Sequence, residues 1–377
     1  MFLLGLAMNK PLSLMIDVSS VPYQRGVSRY TANLSLALAQ NPDVQLTVFG
    51  TSSRQFTFLK QWAETLPATV EKRIWPLPPS ALHTGWQIAQ QPLPWLGKKI
   101  DVFHAWDWQL APMGKVPQVV TIHDLAYKLF PRTAHPVIAA AYDRLLQTLE
   151  DNPEILIIAV SESTKHDIVN LTHIAPDRIQ VVYEALPMEA EYSPSSAEIQ
   201  DTLHKYQLTR PFLLSVGTTE PRKNLPRIIE AWRSLRDKFD LVVAGAAGWD
   251  QLDHDAGIHH LGFVAPRDLA ALYREAHALV FASLYEGFGL PILEAYYHHC
   301  PVVTSRVSAM AEIAGSPAVL VDPYDSTAIA EACLAIEEKN TQARHRREQD
   351  MDRVLSNYSW DKVARECLPL YRKAAQV

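Results

Sequence analysis

The stretch Ser283-Leu-Tyr-Glu286-Gly-Phe-Gly-Leu-Pro291-Ile-Leu-Glu294 sets two carboxylates around a glycine turn, between an apolar β-branched run and a helical pattern. Gly287 and Gly289 permit close approach to the backbone, and Pro291 suits the first turn of a helix, where its missing N–H costs nothing. Strand, glycine turn and helix N-terminus together make an anion site, because unpaired amides and the positive end of the helix dipole face the same point. Glu294, one turn into the helix, is placed to accept hydrogen bonds from sugar hydroxyls of a nucleotide. Glu286 reaches the other side of the bound anion. The plain alternative is a solvated loop with a capping carboxylate; the carboxylates on both sides of the glycines argue against it. A glycosidase acid/base pair is the weaker alternative. Continuous helix would separate the two carboxylates by ~12 Å along the axis, against the ~5–9.5 Å such hydrolases need.

A second constellation, Val216-Gly217-Thr-Thr-Glu220-Pro-Arg222-Lys223-Asn224, also lies between a strand-like run and an amphipathic helix. Gly217 ends the strand, and Arg222 and Lys223 are placed to meet phosphate oxygens at a helix start. Arg-Lys pairs on loops are usually just solvated, so the setting carries the functional reading. Loops at the carboxyl ends of parallel strands share one sheet edge, so this loop and the Glu286 loop can converge.

The elements that must position these loops are readable as two series. Leu12–Val18, Val44–Phe49, Asp101–Ala105, Gln118–Ile122, Ile155–Val160 and Ile179–Tyr183 read as strands of one sheet. Phe212–Val216, Leu241–Ala244, His259–Phe263, Ala278–Ala282, Val302–Ser305 and Ala318–Val321 read as a second. These runs lack clean alternation, as strands buried on both faces do. Helical faces such as Val27, Tyr30, Leu34 and Leu38, or Leu225, Ile228, Ile229 and Trp232, fall between them. The rhythm predicts an α/β fold with two doubly wound, Rossmann-like domains. It pauses at Pro187–Leu208, the expected linker, which gives an N-terminal domain over 1–190 and a C-terminal one over 191–358. A final helix from Trp360, led by Ser359 as N-cap, is expected to pack back on the first domain within 359–377.

The 377 residues exceed one ordinary core, and 48% hydrophobic with 20% charged residues fits a globular chain. A net charge of -6 argues against a general nucleic-acid binder. Cys300, Cys333 and Cys367 have no zinc-ligand spacing and read as thiols of a reducing compartment. The opening Met1–Met8 is too short to span a bilayer, so a cytoplasmic protein is expected, with peripheral membrane contact left open.

In these motifs the chain resembles glycosyltransferase family 4, the retaining group of GT-B fold, from about Met15 to Pro323. The hallmark Glu-x7-Glu is Glu286…Glu294 here. Gly217-Thr-Thr-Glu-Pro-Arg-Lys-Asn-Leu, Gly26-Val-Ser-Arg-Tyr30 and Thr121-Ile-His123-Asp-Leu125 resemble its mannosyltransferase-like branch. The resemblance implies that Lys223 and Arg222 bind the donor diphosphate and Glu294 the ribose. Glu286 and the Gly287, Phe288, Gly289 and Leu290 amides would contact the transferred sugar, with His123 facing it across the cleft. Gly26 and Gly217 would lie along the donor. Without the resemblance, a lone histidine after a strand reads as a satisfied core residue. Three positions depart from the family pattern. Thr218 stands where an Arg is common, the Tyr23–Ser28 loop has little glycine, and Val182-Tyr-Glu184-Ala-Leu186 replaces a Pro/Asn-Gly-type turn.

The implied chemistry is same-face attack by an acceptor hydroxyl as the sugar–phosphate bond breaks. Lys223, Arg222 and the loop amides stabilise the leaving diphosphate in a closed cleft, so neither a metal nor another cofactor is expected. The nucleoside-diphosphate sugar is a substrate, and the motifs favour GDP-mannose. The acceptor is expected to be a saccharide or lipid-linked glycan in polysaccharide assembly. Six of the nine tryptophans fall within 62–108 (Trp62, Trp75, Trp86, Trp95, Trp106, Trp108), as domain packing or as an acceptor or membrane edge. The His259-His260 and His298-His299 pairs read as surface. Rival readings are an epimerase or phosphorylase of the same fold, or a non-catalytic nucleotide-sugar-binding subunit. A nicotinamide enzyme is disfavoured, since no strand leads into Gly-x-Gly-x-x-Gly.

Overall fold

The computed structural model describes residues 10–23, 26–78, 100–105, 110–111, 113–131, 136–246, 248, 255–336 and 341–376. Among them, seven parallel strands form a first sheet in the order β3-β2-β1-β4-β5-β6-β7. They are β1 (Leu12–Asp17), β2 (Val44–Thr51), β3 (Glu71–Trp75), β4 (Val102–Ala105), β5 (Gln118–Ile122), β6 (Leu156–Ala159) and β7 (Ile179–Val181). Six more parallel strands form a second sheet, β10-β9-β8-β11-β12-β13. These are β8 (Phe212–Val216), β9 (Asp240–Ala244), β10 (Ile258–Gly262), β11 (Ala278–Phe281), β12 (Val302–Ser305) and β13 (Val319–Val321).

Strand order reverses between β1 and β4 in one sheet and between β8 and β11 in the other. A crevice opens at such a switch point, because the flanking helices leave on opposite faces. The Gly217 loop follows β8 and the Glu286 loop follows β11, so both sequence motifs fall at the second switch point. That is why they meet.

β3 was not expected. Glu71-Lys-Arg-Ile-Trp75 is charged, and it pairs only with β2 at the sheet edge, where charge guards against further pairing. Lys72 reaches Glu64 at 3.2 Å, and Arg73 reaches Glu71 at 2.8 Å. The expected linker is also shorter than the composition suggested. Ser195 and Glu198 form a capping box that starts a helix over Ser196–Lys205. Its Ile199 is buried, and Leu203 packs with Phe212 and Leu272 against the second sheet.

Buried apolar layers cover both faces of each sheet. The helix Trp360–Ala374 crosses back to the first sheet, where Val363, Cys367 and Tyr371 pack with Leu14, Leu34 and Ile158. Ser359 caps it, and the Trp360 indole donates to the Leu186 carbonyl at 2.8 Å. Trp62 and Trp75 are half-buried against the N-terminal layers, whereas Trp86, Trp95, Trp106 and Trp108 lie outside the described residues. All three cysteines are buried and unpaired as disulfides. Among the described residues no helix is long and apolar enough to cross a membrane.

Candidate active site between the two sheets

The β8 loop folds tightly around Lys223. Gly217 sits at φ +144, and a Cβ there would press on the lysine side chain at 3.2 Å. Pro221–Lys223 forms a single 3-10 turn. Asn224 then adopts a left-handed conformation at φ 61 and starts the helix Leu225–Arg233. The Asn224 amide justifies that strain. It donates to the Ala282 carbonyl at 2.9 Å and the Pro323 carbonyl at 2.6 Å, tying the β8 loop to the chain after β11 and after β13.

The tie brings three predicted residues into contact. Lys223 Nζ lies 2.7 Å from Glu286 Oε1, and an Arg222 terminal nitrogen lies 2.7 Å from Glu286 Oε2. Arg222 also donates to the Tyr285 carbonyl at 2.6 Å and to Glu220 at 2.6 Å. Burial alone pushes the Glu286 carboxyl up. The Arg222 and Lys223 charges outweigh it and bring the group down to about 2. Glu286 therefore stays ionised throughout the neutral range. Lys223 has three donors, and Glu286 occupies one of them in this arrangement.

The sign of the pH effect follows. The folded value lies below the ordinary 4.5, so the stabilisation is complete above pH 4.5 and disappears as pH falls towards 2. Glu286→Gln should cost about 3–5 kcal/mol at neutral pH, because it leaves two half-buried cations short of a partner. The gap between wild type and variant in denaturant titrations should be constant from pH 5 to 8 and narrow below 4.5. A gap independent of pH down to 3 would contradict the pairing.

Glu294 stands on the helix Leu290–Tyr297 and is 3% exposed, yet its partners come from two directions. Arg29, from the first sheet's helix Gly26–Gln40, meets Oε1 at 2.7 Å, and the Tyr273 hydroxyl donates to Oε2 at 2.9 Å. Arg29 also pairs with Glu189 at 2.7 Å. These groups line a cavity of about 590 Å³ between the sheets, together with Phe263 and His298. His298 corrects its surface assignment: it is buried, stacks on Tyr273 at 5.7 Å, and burial takes its imidazole down to about 4. His299 and the half-buried His259 bond carboxylates, Asp352 and Asp240.

His123 follows β5 on the facing edge of the first sheet. Its Nδ1 lies 2.9 Å from Glu184 Oε1, and the Tyr30 ring meets it edge-on at 4.8 Å. Its carbonyl accepts from the Thr164 hydroxyl at 3.2 Å. Gly287 packs directly on that carbonyl: an added Cβ would come within 1.9 Å of it. The Gly287 carbonyl accepts from Ser161 at 2.7 Å and lies 3.2 Å from the Thr164 hydroxyl, whose one proton it shares with the His123 carbonyl. Glu312 takes the Glu162 and Ser163 amides at 2.9 and 3.2 Å, and Tyr285 donates to Asp167 at 2.7 Å. The segments that follow β5 and β6 thus meet those that follow β11 and β12 over the cleft.

The remaining predicted residues are placed less centrally. The Phe288 side chain joins an apolar seam with Val160, Leu186 and Leu293, so only its backbone is available to a ligand. Gly289, at φ +115, precedes the helix that Leu290 opens. Gly26 starts its helix with open space where a Cβ would be, and the structure gives no packing reason for a glycine there. Arg29, Tyr273 and Glu184 were missed, because each meets its partner only through the fold.

Two Asp-x-Asp triplets occur, Asp253-His-Asp255 and Asp350-Met-Asp352, and such carboxylate pairs can chelate a divalent cation. Asp255 pairs with Arg233 at 2.8 Å, and Asp253 lies outside the described residues. Asp350 pairs with Arg353 at 2.8 Å and Asp352 with His299 at 2.9 Å, on the helix Thr341–Leu355. Among the described residues no group of three or more His, Cys, Asp or Glu side chains is arranged to hold a metal.

Comparison with known proteins shows the family and the fold. Residues 24–189 match Glycosyltransferase Family 4, and residues 198–352 match Glycosyl transferases group 1. O-antigen chain mannosyltransferase B of Escherichia coli is 33% identical over 67% of this chain and 70% of its own length. The serotype-specific mannosyltransferase WbdA of Escherichia coli is 32% identical over 45% of this chain, a match that spans 23% of that longer protein. Among solved structures, Anabaena Alr3699/HepE in complex with UDP and glucose aligns with a TM-score of 0.70 at 15% identity, covering 95% of this chain and 98% of that one. Paired switch-point sheets, the Glu286–Lys223–Arg222 cluster and these matches lead to one conclusion: the chain is a glycosyltransferase of family 4, with the GT-B fold.

Proposed function

We propose that the protein transfers mannose from GDP-mannose, with retention of configuration, to a saccharide or lipid-linked acceptor during assembly of a surface polysaccharide in the cytoplasm. The observation that carries the reading is the convergence of Lys223, Arg222 and Glu286 at the β8/β11 switch point, facing His123. In this reading the second sheet's domain binds the donor and the first binds the acceptor. Lys223 and Arg222 hold the diphosphate, and Glu294 holds the ribose. Glu286 and the amides of Gly287–Leu290 meet the sugar, with His123 opposite. As the anomeric bond breaks, negative charge grows on the diphosphate, where fixed cations and amides in a closed cleft are worth most. The acceptor hydroxyl attacks from the same face as the leaving group and passes its proton to the departing diphosphate oxygen, giving the glycoside and GDP. Mannose is supported by the mannosyltransferases named among the relatives.

The test is product analysis with GDP-mannose and a mannose-terminated oligosaccharide. Acceptor-dependent release of GDP with an α-linked product is expected. GDP-mannose consumed without an acceptor to give an epimer, or turnover with a UDP-sugar alone, would refute it.

A further inference from the structure

Glu184 occupies the position where the family resemblance leads one to expect a Pro/Asn-Gly-type turn. A charged residue there would ordinarily be solvated. Instead it is 4% exposed, in the segment that leaves β7, with Ala185 and Leu186 buried behind it. Its Oε1 lies 2.9 Å from His123 Nδ1. A carboxylate only accepts hydrogen bonds, so the proton between them belongs on Nδ1, and the ring's chemistry towards a sugar falls to Nε2.

The rest of the ring's surroundings fix its plane. Tyr30 contacts it edge-on at 4.8 Å, and the Tyr30 hydroxyl is bound to Thr121 at 3.2 Å. Thr121 bonds His104 at 2.9 Å, and His104 bonds Tyr371 of the final helix at 2.8 Å. Thr164 grips the His123 carbonyl. Main chain, ring edge and Nδ1 are each restrained, and the Glu184 carboxylate places the proton on Nδ1.

We propose that Glu184 is a positioning residue for the transfer: it holds His123 as the Nδ1–H tautomer, so that Nε2 accepts a hydrogen bond from a hydroxyl of the transferred sugar. An acceptor there strengthens its bond as positive charge develops on the sugar, which stabilises the transition state more than the ground state. The inference rests on the placement of His123 against the sugar in the function proposed above.

Glu184→Gln keeps the shape but offers an amide N–H₂ that can donate to Nδ1 and turn the tautomer over. With GDP-mannose and a mannose-terminated acceptor, kcat should fall on the order of 100-fold, with the donor KM nearly unchanged. Nitrogen spectra of histidine-labelled protein, with the His123 signal assigned by its loss in His123→Asn, should show an Nδ1–H imidazole in wild type and not in Glu184→Gln. A residue that acts through His123 adds nothing once His123 is gone, so the double variant should be no slower than His123→Asn alone. Should Glu184→Gln fail to fold, Glu184→Asp, which withdraws the carboxylate by one methylene, runs the same cycle. Wild-type kcat in Glu184→Gln beside a slow His123→Asn would overturn the inference alone, as would losses that simply add in the double variant. Wild-type kcat in His123→Asn would remove the placement of His123 and this inference with it.

Discussion

Gly287→Ala should lose about 100-fold or more in turnover while nucleotide affinity stays close to wild type. The first part follows from space. The new Cβ would fall 1.9 Å from the His123 carbonyl oxygen, 2.9 Å from its carbonyl carbon and 2.7 Å from the Asp124 Cβ. Two of those three are backbone atoms of a strand end, so no rotamer change relieves the contact. The two sheet edges must separate locally, and the Ser161 and Thr164 hydroxyls lose the Gly287 carbonyl that they share. His123 then moves away from the loop that presents Glu286. A displacement of about 1 Å at reacting groups is enough for roughly a 100-fold loss. The second part follows from topology. Lys223, Arg222 and Glu286 all stand on loops of the second sheet, so their mutual contacts survive the separation. Steady-state kinetics with nucleotide titration on the same preparation checks both parts. Wild-type kcat would mean that the edge contact is not needed for transfer.

How much of this was legible beforehand depends on whether the relevant physics is local. β1, β8 and β11 were readable because Leu14, Ile16, Leu214 and Leu279 are buried within them, which imposes apolar runs on the sequence. β3 was hidden because an edge strand is free to carry Glu71, Lys72 and Arg73. The helix Ser196–Lys205 was masked by the Pro- and Ser-rich composition before it, although its capping box, Ser195 and Glu198, was present in the letters. The convergence of Lys223 with Glu286 could be argued from two strand–turn–helix patterns at one sheet edge. Glu294's contact with Arg29 could not, since it joins the helix after β1 to the helix after β11 across the cleft. Glu184 gave only an oddity, a charge where a turn was expected. Its meaning needed the 2.9 Å contact with His123. His298 misled because paired histidines at a helix end read as surface, whereas stacking on Tyr273 draws this one inward.

The arrangement around Glu294 has a mechanical consequence. Arg29 reaches from the first sheet to the carboxylate that the proposed function assigns to the ribose. Each carboxylate oxygen has a second lone pair beyond those used by Arg29 and Tyr273, so ribose hydroxyls can join the pair. Donor binding and contact between the sheets then share one anchor.

The central claim is that the Lys223–Arg222–Glu286 cluster is the donor diphosphate site, and calorimetric titration with GDP and UDP on wild type and Lys223→Ala tests it most directly. Lys223 contributes a charge-assisted hydrogen bond and the counter-charge of a buried carboxylate, 2.7 Å away. Its removal should cost roughly 1.5–3 kcal/mol of nucleotide binding, a tenfold or greater weakening. The account predicts preferential binding of GDP by wild type and that loss in the variant. Equal binding by wild type and Lys223→Ala, or no binding of either nucleotide to wild type, would contradict it.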